Sequence, residues 1–175
     1  LPFSLCSSKL SIKKPQKSNS NKEKNVELYK KYLDLKNVFI PPEKIGEIFD
    51  IVRQARDLAI EFITERVEAK NKIYGYEVDD IARSFIRQNG YGNFFPHRTG
   101  HNIGTQIHGN GANIDNYETK DQRLLVPGTC FSIEPGIYLN DFGIRTEIDV
   151  FLAYQGKGGV KVTTAPIQNQ VLRLL

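Results

Sequence analysis

Asn89-Gly-Tyr-Gly-Asn-Phe-Phe-Pro-His-Arg-Thr-Gly-His-Asn-Ile-Gly-Thr-Gln-Ile-His108 is the stretch on which the fold turns. Its opening residues, Asn89 to Pro96, are rich in types that break a helix, and the pattern of the chain changes across them. The remainder, His97 to His108, holds all 3 histidines of the 175-residue chain.

Upstream of the switch the periodicity is helical. From Pro42 to about Ala69, Ile45, Ile48, Phe49, Val52, Ala55, Ala59, Phe62, Ile63 and Val67 fall at the three-and-four spacing of one buried face. That face leaves Arg53, Arg56, Glu61 and Glu65 largely to solvent. The pair Pro41-Pro42 breaks the chain just before, because proline fixes its own φ and disfavours helix in the residue ahead of it. A second helix is expected from about Val78 to Gln88, with Val78, Ile81, Ala82, Phe85 and Ile86 on one face and Gly90 as its stop.

Downstream the period becomes two. Phe131 and Ile133 alternate with Ser132 and Glu134, and Ile144, Thr146, Ile148 and Val150 alternate with Arg145, Glu147 and Asp149. Successive strand side chains point to opposite faces, so Ser132 shares a face with Glu134, and Arg145 with Glu147 and Asp149. A last strand is expected over Val160 to Thr164, ahead of an apolar end, Val171-Leu-Arg-Leu-Leu175. Two helices followed by an antiparallel sheet make the class α+β.

Composition narrows the function. At 39% hydrophobic and 25% charged, the chain supports one globular domain. No run approaches the roughly 18 apolar residues of a spanning helix, so no membrane segment is expected. Cys6 and Cys130 stand far apart in unlike contexts, which argues against a disulfide framework and for a reducing, cytoplasmic setting. The net charge of +4 is more than accounted for by Lys9, Lys13, Lys14, Lys17 and Lys22, in an acid-free arm rich in serine and asparagine. That arm reads as a disordered, solvated tail, and it lacks the apolar core of a secretory signal and the arginine bias of a transit peptide. The rest of the chain is close to neutral, so a nucleic-acid partner is not expected. A first residue of leucine rather than methionine points to a processed or partial product.

His97 and His101 are four apart, as in zinc proteases of the His-Glu-x-x-His type. No glutamate follows His97, however, and Gly100 and Gly104 argue against helix there. On an extended backbone the glycines let the main chain approach a ligand, so that His101 binds metal while His97 and His108 face a substrate. A chance cluster in a glycine-rich loop is the competing reading, and composition alone leaves the two about even. Glu134 and Glu147 sit within apolar strands, where a charge needs a partner to offset desolvation. A divalent cation would serve, with Arg145 balancing charge beside Glu147. Imidazole and oxygen ligands suit Mn, Fe, Co or Zn, and no cysteine lies near enough in sequence to indicate a structural zinc site.

His-x-x-Gly-His-x-Ile-Gly-x-x-x-His, then Phe-Ser-Ile-Glu-Pro-Gly-Ile-Tyr, then Gly-Ile-Arg-Thr-Glu-Ile resembles the C-terminal half of the pita-bread metallopeptidases of the aminopeptidase P and prolidase family, over about residues 45 to 175. Glu-Pro-Gly-Ile-Tyr favours the proline-peptidase branch over methionine aminopeptidases. The resemblance implies two divalent ions, commonly manganese, with His101, Glu134 and Glu147 as ligands and Glu147 bridging. It also implies that His108 steadies the substrate carbonyl, that His97 lies near the substrate, that Arg145 organises the bridging carboxylate, and that Glu134 shuttles the proton to the leaving nitrogen. The implied reaction is hydrolysis, by a metal-activated bridging water, of the Xaa-Pro bond at the N-terminus of a peptide with proline in second position.

The chain departs from that pattern in places. Thr105 stands where an aliphatic residue is usual, and Gly109 where an acid is usual. The family takes two further metal ligands from upstream aspartates about eleven residues apart, and a further histidine from an earlier half-domain. Asp34, with Glu23 eleven residues before it, is the available candidate, weighed against a plain polar linker. The expected division is therefore a tail over 1–25, a linker or remnant strand over 26–41, and a partial catalytic domain over 42–175. A lone half would leave a sheet edge and apolar surface open, so self-association, weak metal binding and poor turnover are expected. A non-catalytic peptide- or protein-binding module is the alternative function.

Overall fold

The computed structural model describes residues 43–154 and 159–171. The tail, the linker, Cys6, Glu23, Asp34 and the last four residues, 172–175, lie outside the described part. Within it the order is α1 (Glu43–Glu68), α2 (Gly75–Gln88), a single 3-10 turn (Gly92–Phe94), then six strands. These are β1 (Asn102–Ile103), β2 (Cys130–Ile133), β3 (Gly136–Tyr138), β4 (Gly143–Arg145), β5 (Ile148–Leu152) and β6 (Val160–Val162). No described helix is long and apolar enough to cross a membrane.

α1 buries Ile48, Phe49, Val52, Ala55, Ala59 and Ile63 of the expected stripe and, beyond it, Ile51, while the expected Ile45, Phe62 and Val67 are half-buried; the helix packs on α2 and on β3, β4 and β6. Arg56 is a correction. It was expected in solvent, yet it is 1% exposed. Its guanidinium pairs with Asp57 and donates to the Gln168 carbonyl (3.0 Å) and Asn169 Oδ1 (3.3 Å), so burial is offset by hydrogen bonds from a segment 112 residues away. Arg56 stapling the C-terminal segment to α1 is invisible to local periodicity.

α2 starts at Gly75, earlier than the expected Val78. The Glu77 carboxylate accepts the Tyr74 N–H (3.0 Å), one half of a capping box. A Cβ at Gly75 would lie 1.8 Å from the Asn113 carbonyl oxygen, so only glycine permits this close crossing of helix and loop. The helix stops where expected. Gly90 has φ +87°, its N–H donates to the Arg87 carbonyl (2.9 Å) and the Tyr91 N–H to the Ile86 carbonyl (3.1 Å), the paired bonds of a Schellman motif. The buried face also differs: Asp79 and Arg83 are inside with Val78, Ala82 and Ile86, while Ile81 is only half-buried.

All strand pairs are antiparallel. One sheet runs β1-β2-β5-β6, and β3-β4 form a two-stranded ribbon. The single alternating run expected from Ile144 to Val150 is thus divided between two sheets. Ile133 pairs with Ile148 in the larger sheet and Gly136 with Arg145 in the ribbon. Continuing either register inward sets Glu134 opposite Glu147 and Pro135 opposite Thr146. β2 to β5 is therefore one long hairpin whose ladder is interrupted at Pro135, which has no N–H to donate. Phe131 and Ile133 face Val150 and Ile148 on the core side, all at 1% exposure or less, while Ser132 faces Asp149 on the other.

Candidate metal centre

The interrupted hairpin delivers two carboxylates and the segment after the switch delivers an imidazole. One ligand atom each from His101, Glu134 and Glu147 lies within 4.8 Å of the others. Glu134 and Glu147 sit just beyond the strand ends rather than inside strands as expected, at the point where the ladder opens. Their separation from the flanking ribbon is fixed by pairing on both sides of the gap.

His101 is placed by β2. The Ser132 N–H donates to the His101 carbonyl (2.9 Å) and the Glu134 N–H to the Thr99 carbonyl (2.7 Å). Gly100 exchanges two backbone bonds with Ile114, and a Cβ on it would lie 1.9 Å from the Ser132 carbonyl oxygen. The glycine is thus required for the close approach that the sequence suggested. His101 Nδ1 lies 3.2 Å from the Asn102 carbonyl, which can only accept, so Nδ1 carries the proton. With Nδ1 turned to the backbone, Nε2 is the nitrogen presented to the carboxylates, facing Glu134 Oε1 at 3.3 Å.

Arg145 lies against both carboxylates, 3.2 Å from Glu134 Oε2 and 3.7 Å from Glu147 Oε2. It was expected beside Glu147; it is nearer Glu134. Burial works against its charge, but Glu134, Tyr138 and Glu147 outweigh burial and hold its pKa above the ordinary value. Burial first, then the neighbouring Glu147, pushes the Asp149 carboxyl up. Tyr138 lies over Gly136 and Gly143, where added Cβ atoms would meet its ring at 2.9 and 2.6 Å.

Of the other two histidines, only His108 has its ring against that of His101. His97 is half-buried, its ring edge-on to Phe95 at 5.0 Å. Its Nδ1 faces the Arg98 carbonyl at 2.7 Å, so the Tyr138 hydroxyl donates to Nε2 across 2.9 Å. Burial holds the His97 pKa down. His108 is exposed, its ring centroid 4.4 Å from that of His101. Gly109 has a physical account too. A Cβ there would lie 2.2 Å from Asn102 Oδ1, so the Asn102 amide fills the space a side chain would need.

Five residues of this neighbourhood carried no assignment from sequence. Asp79, fully buried, accepts the Thr99 N–H (2.8 Å), the Thr99 hydroxyl (2.6 Å) and both Nε and Nη2 of Arg83. Arg83 in turn donates to the carbonyls of Phe95 (3.1 Å) and His97 (2.8 Å) and lies over the Phe95 ring. α2 thereby grips the backbone that carries His97 and His101. The signal was the i, i+4 spacing of acid and arginine on the helix. Ser132 and Tyr138 lay within the quoted motifs, and Ser132 shared a face with Glu134; nothing local marked Thr99.

The family described as Metallopeptidase family M24 matches residues 34–153. The chain is 40% identical over 108 residues to an Xaa-Pro dipeptidase of Lactobacillus helveticus, covering 61% of this chain and 27% of that protein. Among solved structures it is similar to an Xaa-Pro dipeptidase from Bacillus anthracis (TM-score 0.64, 30% identity), with 75% of this chain and 34% of that one covered. A prolidase from Pyrococcus horikoshii OT3 matches at the same TM-score of 0.64 with 32% identity, again over 75% and 34%. The chain thus spans about a third or less of the length of these relatives.

Two outcomes follow from the geometry. Asp79→Ala leaves Arg83 buried without its counter-charge and should lower the unfolding free energy by about 3–5 kcal/mol, read from urea denaturation; a loss under about 1 kcal/mol would contradict the anchoring role. His97 should titrate below the ordinary value of about 6.5 in an NMR pH series. Because the unfolded chain then binds this proton at higher pH than the folded chain, His97 costs no stability above about pH 6.5 and an increasing amount as pH falls through that value towards the folded pKa.

Proposed function

The chain belongs to metallopeptidase family M24, and from that premise we propose that it carries the metal-holding face of a peptidase acting at the Xaa-Pro bond of peptides with proline in second position. The observation that carries this reading is the convergence of one imidazole nitrogen and two carboxylates, their ligand atoms within 4.8 Å of one another. Relatives described as Xaa-Pro dipeptidase and prolidase supply the substrate class. The donors fit a divalent cation, since nitrogen and carboxylate oxygen suit Mn, with Co, Zn and Fe as alternatives, and two ions are proposed. When bound, such ions polarise a carbonyl and can lower the pKa of a bound water to about 7.

The chain's own residues then divide the work. His101 would hold metal through Nε2, and Glu134 and Glu147 would hold it through their carboxylates, Glu147 being the ligand that the family resemblance assigns to both ions. Glu134 also accepts a proton at its carboxylate and returns it to the leaving nitrogen. Arg145 keeps the two acids from repelling one another before metal arrives. His108, exposed beside His101, donates to the substrate carbonyl and steadies the tetrahedral state. The neutral His97, its Nε2 committed to Tyr138, shapes the wall nearest the substrate. A reducing cytoplasmic setting rests on the two cysteines standing far apart in the sequence and in unlike contexts. Self-association rests on the outer edge of β6, the terminal strand of the sheet among the described residues.

Metal content and hydrolysis of Xaa-Pro dipeptides and tripeptides by the purified chain test the reading. The wild type should hold divalent metal and cleave slowly, and Glu147→Ala should lose most of the metal and about 100-fold or more of the rate, as loss of several kcal/mol of transition-state stabilisation requires. Unchanged metal content and unchanged rate in Glu147→Ala would overturn the assignment. Metal retained by the wild type with no cleavage would favour a binding module.

A further inference from the structure

Ser132 is fully buried on the strand between the two ligand-bearing segments. In the ladder beside His101 its N–H donates to the His101 carbonyl (2.9 Å), but the return bond from the His101 N–H goes to the Ser132 hydroxyl (3.0 Å). A backbone N–H can only donate, so the hydroxyl oxygen accepts there, and its single proton is left for another group. That group is Glu134 Oε1, at 3.0 Å. The direction of both bonds is therefore fixed by the chemistry of the partners.

The consequence falls on Glu134. Backbone pairing fixes where a strand lies but not the torsions of a long side chain, and the terminal torsion of glutamate is broad. Here each carboxylate oxygen has its own anchor, Oε1 on Ser132 and Oε2 on Arg145 at 3.2 Å. The arginine is 38% exposed and long, whereas the serine is short and immobilised by the strand. The same hydroxyl sets the backbone of His101, whose Nε2 faces Oε1. One atom thus orients two of the three converging groups.

Resting on the metal reading above, we propose that Ser132 is a positioning residue whose hydroxyl sets the relative geometry of His101 and Glu134 and thereby the metal affinity of the site. Groups of this kind, outside the ligands themselves, typically contribute 10–100-fold in affinity. The residue holds the ligands by hydrogen bonds and does not itself meet the metal.

The test is calorimetric titration of the metal-free 175-residue chain with Co(II), in the wild type and in Ser132→Ala, Ser132→Thr and Ser132→Val. Threonine and valine have nearly the same shape and differ in the hydroxyl, so their comparison stands even where the alanine variant folds poorly. Ser132→Ala and Ser132→Val should bind about tenfold or more weakly, and Ser132→Thr should bind close to wild type. Ile63→Val on α1, which trims the core away from the ligands, should leave affinity unchanged. Equal affinity of the threonine and valine variants would overturn the inference while leaving the metal reading intact. No Co(II) binding by the wild type would overturn the metal reading, and the inference with it.

Discussion

Glu134 and Glu147 face one another across the gap in a hairpin, and like charges directly opposite in a sheet repel. Much of the surrounding structure answers that constraint. Pro135 opens the ladder at this level, so the two acids are not pressed together by regular pairing. Arg145, one residue past the gap, places a guanidinium against both. His101 turns its Nε2 to the same point. The arrangement is an anionic pocket with partial compensation, which is the electrostatic condition for taking up a cation.

The pocket is only as well defined as the segment that brings His101 to it. That segment is a loop, rich in glycine and with little apolar weight of its own. Asp79 supplies what the loop lacks. A buried carboxylate is costly unless its lone pairs are satisfied, and this one is met by Arg83 and by both donors of Thr99. Because Thr99 then accepts the Glu134 N–H, the helix layer, the histidine loop and the strand carrying the glutamate form one hydrogen-bonded unit. Arg56 plays a comparable part at the other end of the domain, fastening Gln168 and Asn169 to α1.

The elements legible in the sequence are those whose causes are local. α1 follows from the spacing of Ile48, Val52, Ala55, Ala59 and Ile63, and the end of α2 from Gly90. The grouping of His101 with Glu134 and Glu147 was legible because three motifs occur in order. What was not legible depends on partners distant in the chain. Arg56 reads as a surface arginine, and Arg83 carries no reading at all, until residues downstream supply carbonyls for them. The early start of α2 depends on Asn113 closing over Gly75. The division of the run Ile144–Val150 was hidden because alternation is preserved through the gap; only the pairing changes, and Pro135 was its one local sign.

The central claim is that His101, Glu134 and Glu147 together hold a divalent metal. X-ray absorption spectroscopy of the cobalt-loaded chain tests it most directly, because it reports the donor atoms around the ion. The account predicts a shell of nitrogen and oxygen that includes an imidazole, with the imidazole signal lost in His101→Ala. A sulfur donor from Cys130, or a shell of oxygen alone that His101→Ala leaves unaltered, would contradict it.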